Sequence, residues 1–102
     1  NKAQIKDFAE STVEMFGGKK EEIEAVCKKC LLNAVFDTFG KNITIEKISG
    51  DDENFKLIVE SNPIGFKMWA MRNIDSVTII KPESLVKEIK DIIENARNRY
   101  KK

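Results

Sequence analysis

The spacing of apolar residues changes repeatedly along this chain, and each change predicts an element. In IKDFAESTVEMF, Ile5, Phe8, Ala9, Thr12 and Phe16 recur at helical intervals, which predicts a short helix from about residue 4 to 14, stopped by Gly17 and Gly18. EEIEAVCKK alternates: Ile23, Ala25 and Cys27 share one face and Glu24, Val26 and Lys28 the other, the pattern of a half-buried strand. CLLNAVFDTFG returns to a helical period, with Leu32, Val35, Phe36 and Phe39 on one face and Gly40 placed for a left-handed cap. NITIEKI and NFKLIVE alternate again, and SGDDEN between them has the composition of a hairpin loop. SNPIGFKMWAMRNI offers Asn62 as N-cap and Pro63 at the first helical position. SVTII is a fourth strand, and Pro82 opens a last helix striped with Leu85, Ile89, Ile92, Ile93, Ala96 and Tyr100.

The order β-α-β-β-α-β with a helix added at each end predicts an α+β domain of ferredoxin-like, split β-α-β type. Both crossover helices would cover one face of an antiparallel sheet. That face collects Ile23, Ala25, Cys27, Ile43, Ile45, Phe55, Leu57, Val59, Val77 and Ile79. The opposite face shows Val26, Ile48, Ile58 and Ile80 among charged neighbours, too apolar to be wholly wet. The stripe on the last helix is expected to cover that face, in this copy or in a second one. Residues 1–20 read as a lead-in helix and linker from an upstream domain, and 21–102 as the domain itself, with its C-terminal helix over 82–100.

Composition narrows the functional classes. A chain of 102 residues supports one modest core, and 34% charged residues give a well-solvated surface. The net charge of +1 lacks the basic excess of a dedicated nucleic-acid-binding domain. No apolar run is long enough to span a membrane and no signal segment opens the chain, so two cysteines fit a cytoplasmic protein. The opening NKAQIKDF has no methionine and reads as part of a longer protein. Histidine is absent, which removes the commonest general base and zinc ligand.

Four motifs invite chemistry. Cys27 and Cys30 form CKKC, but zinc needs four ligands, and a redox pair wants its first thiol at a helix N-terminus. The favoured reading is a buried small hydrophobe followed by a residue at a helix start, with no metal or other cofactor. GDDEN lacks the spaced acids of a calcium loop and reads as a turn. Trp69 with Phe66 and Met68 could stack a base, although helical spacing favours a core tryptophan. RNRYKK complements the helix dipole, and Arg97 and Arg99 are candidates for a weak phosphate contact. The sheet lacks the exposed aromatic pair of an RNA-recognition motif. The loop after the first strand, KKC, lacks the anion-binding arginine of an acylphosphatase. No catalytic set emerges, and the chain reads as a non-enzyme.

CLLNAVFDTFGKNITI, FKMWAMRNIDSVTIIKPESLVKEI and the closing Tyr100 of ENARNRY together resemble the C-terminal extension (WCX) of bacterial WYL-domain transcriptional regulators. FAESTVEMFGG resembles the segment leading into it, so the likeness covers almost the whole chain. Asp37, Phe39, Gly40, Phe66, Trp69, Pro82 and Tyr100 match the family's structural positions. Thr38 stands where relatives commonly carry arginine, Asn73 where many carry an aromatic, and Arg72, Asn73 and Ile74 where a glycine often occurs. The resemblance implies effector response and dimerisation that adjust DNA binding by an N-terminal helix-turn-helix domain. The effector it implies is a nucleotide or single-stranded nucleic acid, and the expected assembly a homodimer without membrane contact. Leu85, Ile89, Ile92, Ile93 and Ala96 form the candidate dimer or sheet-packing face. A stand-alone small-molecule-binding module of the same fold is the alternative.

Overall fold

The computed structural model describes residues 19–40 and 42–101. The expected helix over 4–14 lies outside the described residues.

Among the described residues four strands form one antiparallel sheet: β1 (Glu21–Lys28), β2 (Ile43–Ile48), β3 (Asp51–Ser61) and β4 (Val77–Lys81). Their order across the sheet is β2-β3-β1-β4, with each neighbouring pair antiparallel. A 3-10 turn (Lys29–Leu31) leads into α1 (Leu32–Phe39), α2 (Pro63–Arg72) joins β3 to β4, and α3 (Glu83–Tyr100) closes the described chain. The architecture is α+β.

Register explains how alternation becomes a core. Ile23 opposes Val59, Ala25 opposes Leu57, and Cys27 opposes Phe55, while Ile79 and Val77 flank Ala25 and Cys27 from the other side. All eight are buried, and Ile43 and Ile45 pack at the margin of the same core. A period of two therefore sends one residue in two to the helix-covered face.

The helices complete that face with Val35, Phe66, Trp69, Ala70, Leu85 and Ile89. The Asn62 side chain caps α2 by accepting from the backbone N–H groups of Ile64 at 2.9 Å and Gly65 at 3.1 Å. Pro63 follows at the first helical position, where a missing N–H costs nothing. Pro82 is the N-cap of α3, and its carbonyl accepts from Leu85 and Val86 at 3.1 Å each.

Four expectations need correction. The α1 stripe is rotated: Val35 is buried and Leu31 and Phe39 pack on the core, whereas Leu32 and Phe36 are exposed. Gly40 does end α1, but at φ 70° and ψ −139°, outside the left-handed helical basin and in a region that only glycine adopts readily. The β2–β3 loop is just Ser49 and Gly50, with Gly50 at φ 77°. Lastly, α3 does not cover the open face of its own sheet, which leaves only the second-copy form of that expectation. Leu85 and Ile89 join the core on the face already held by α1 and α2, beside Val77 and Ile79.

Candidate functional site

The aromatic residues of the sequence motifs converge. The Phe39 ring lies 5.4 Å from Phe66 and 5.0 Å from Trp69, edge-on to the indole, and Phe66 and Trp69 are 5.4 Å apart. Helical spacing puts Phe66 and Trp69 on one face of α2, and the end of α1 delivers Phe39 against both. Trp69 is 5% exposed and Phe66 fully buried, so neither offers a face to a nucleobase. Met68 is exposed but belongs to the outer side of α2. Asp37 is exposed on α1 and Gly40 is buried at its end.

The CKKC pair is divided by the fold. Cys27 points into the core, and burial pushes its thiol up to about 12. Cys30 is exposed in the 3-10 turn, and both thiols are free. Among the described residues no group of three or more metal-ligating side chains converges. The acidic turn is occupied with local bonding. Asp51 accepts from the backbone N–H groups of Glu53 and Asn54 at 3.0 and 3.2 Å, and from the Asn54 side chain at 2.8 Å. These bonds, the Asn54 side chain foremost, hold its carboxyl below the usual value. They lie where the β2–β3 register shifts, Ile48 opposing Asp51 and Lys47 opposing Phe55, so that residues 52–54 bulge from that ladder.

The open face of the sheet carries a charge cluster that sequence reasoning missed. Glu24, its side chain 12% exposed, lies 2.8 Å from the Lys56 ammonium and 3.8 Å from that of Lys81. The Lys56 hydrogen bond lowers the Glu24 carboxyl from its usual value, and Glu24 in turn raises Lys56. Val26 and Ile58 are half-buried beside it and Ile80 is exposed. Alternation put Glu24 on this face, but only the diagonal register across β1 and β3 brings Lys56 to it.

A concavity lies on the helix-covered side of the sheet. Ala70 and Ile74 from the α2 end, Val77 and Ile79 from β4, and Val86, Ile89, Lys90 and Ile93 from α3 enclose a groove of about 220 Å³. Its walls are mostly apolar; Thr78 also lines it, and among the described residues Lys90 is its one charged lining residue. Ile93, at its rim, is 48% exposed, and farther along α3 Ala96 is half-buried, as is Ile92, while Tyr100 is 85% exposed. Arg97 and Arg99 are exposed near the end, Arg97 within 4.0 Å of Glu94. No helix among the described residues is long and apolar enough to cross a membrane.

Compared with family models, curated proteins and solved structures, the chain matches none of them.

Proposed function

We propose that this chain is a non-catalytic regulatory domain of ferredoxin-like type, the C-terminal extension of a WYL-type bacterial transcriptional regulator working in the cytoplasm. In that role it contributes to effector response and homodimerisation, which modulate DNA binding by an N-terminal helix-turn-helix domain. The effector in this reading is a nucleotide or single-stranded nucleic acid. The strand order, with β1 and β3 central and β2 and β4 at the edges, supports the ferredoxin-like assignment. The meeting of Phe39, Phe66 and Trp69 supports treating the two resembling segments as parts of one packing unit.

The observation that carries the assembly role is the unequal burial of α3. Its first half is locked into the core through Leu85 and Ile89, while Ile93 and Tyr100 present apolar surface farther along. A helix that continues its stripe past its own sheet suits a second copy. Size-exclusion chromatography with light scattering over a wide concentration range tests this. A dimer persisting to low micromolar concentration is expected, and a monomer throughout would remove assembly from the role. A small-molecule-binding module of the same fold is the second reading, favoured by the groove between α2, β4 and α3.

A further inference from the structure

The groove between α2, β4 and α3 has two properties that together specify a ligand. Its volume of about 220 Å³ exceeds the roughly 150 Å³ of an engineered apolar cavity that takes up benzene. It therefore accommodates one ring or a short alkyl chain. Ala70 and Val77 supply buried floor, and Ile74 and Ile93, exposed by 44% and 48%, supply rims that a bound molecule would cover. At the rim stands Lys90, exposed, with no carboxylate within ion-pair distance among the described residues. The nearby α2–α3 ion pair uses other side chains, Lys67 and Glu88 at 3.0 Å.

We propose that this groove binds a small amphipathic monocarboxylate, its apolar body lying between Ile74, Ile79, Val86 and Ile93 and its carboxylate facing the Lys90 ammonium. Apolar walls contribute affinity without direction, and the Lys90 cation fixes which end of the molecule points outward. A neutral molecule of the same shape gains the first contribution and forgoes the second. The ligand class follows from an apolar volume with one cation at its mouth, whether or not the chain belongs to a transcriptional regulator.

Octanoate and 1-octanol are the probes, titrated into isotopically labelled protein and followed by amide chemical shifts. Saturable shifts centred on Ile74, Val86, Lys90 and Ile93 are expected for octanoate, with 1-octanol about fivefold weaker, as an exposed ion pair allows. Lys90→Gln should bring octanoate down to the 1-octanol level, while Lys87→Gln, elsewhere on α3, should leave the difference intact. Equal affinity for the two probes would overturn the proposal, as would shifts centred on another part of the molecule or none at all. Light scattering supplies the remaining check. If Ile93→Glu dissociates a dimer and octanoate neither weakens that dimer nor shifts the groove residues, the groove belongs to a second copy and the carboxylate assignment fails.

Discussion

Glu24 shows how one residue can tie an otherwise open surface together. It sits in the central strand on the uncovered face, between lysines from β3 and β4, and so links three strands. The Lys56 hydrogen bond makes the folded chain hold the Glu24 proton less readily than the unfolded chain does. Its contribution to stability is therefore present above the usual value of 4.5 and is lost as pH falls through the lower folded value. Asp51, depressed by its Asn54 and backbone bonds, adds to the same acid limb below 3.8. Lys56 is raised by Glu24, so its contribution is complete below 10.5 and fades as pH rises through the higher folded value. Melting temperatures from pH 2 to 12 should accordingly fall at both ends. Glu24→Gln should shrink the acid limb to the Asp51 part and reduce the Lys56 part of the alkaline limb to what Glu46 and Glu22 supply. A variant whose profile parallels that of the parent would show that the cluster is too well screened by solvent to matter.

At the scale of elements, the cap on α2 offers the sharpest test. Asn62 is 3% exposed and satisfies two N–H groups that the helix itself leaves without partners. Replacing it by Ala should cost about 0.5–2 kcal/mol, and Ser should recover most of that. Urea unfolding measures both, and an unchanged midpoint for Asn62→Ala would mean that Pro63 and the packing of Trp69 define the helix start without the cap. Asn62 and Pro63 were legible in the sequence because a cap is a local device. Alternation was equally legible, and every residue it assigned to the covered face packs in or against the core. The phase of α1 was not. Leu31, Leu32, Val35, Phe36 and Phe39 fit two overlapping stripes, and the 3-10 turn before the helix advances by a different angle per residue. That choice leaves Leu32 and Phe36 outside. The acidic run at 51–54 looked like loop because its charge is written in the sequence, while the pairing that draws it into β3, Asp51 with Ile48 and Asn54 with Lys28, is not.

For the molecule as a whole, the decisive question was which side α3 would take, and periodicity is silent on that. A stripe states that a helix has an apolar face, whereas the choice of sheet face rests on long-range packing around Val77 and Ile79. Joining the helix layer leaves the other face of the sheet to Glu24, Lys56 and their apolar neighbours. It also divides α3 into a half anchored in the core through Leu85 and Ile89 and a more exposed half, in which Ile92 and Ala96 are only half-buried. The division predicts unequal responses to truncation. Leu85→Ala, at a side chain 1% exposed, should cost about 2–5 kcal/mol by opening a cavity in the core. Ile93→Ala, at 48% exposure, should cost well under half as much in dilute protein, where only one copy is present. Repeating the unfolding at high concentration separates the two roles of the helix. If a second copy covers the outer half, the cost of Ile93→Ala grows with protein concentration, because the unfolding of a dimer depends on mass action. A cost for Ile93→Ala that matches Leu85→Ala at every concentration would place Ile93 in the core of its own chain and leave the outer half of α3 with no surface to offer.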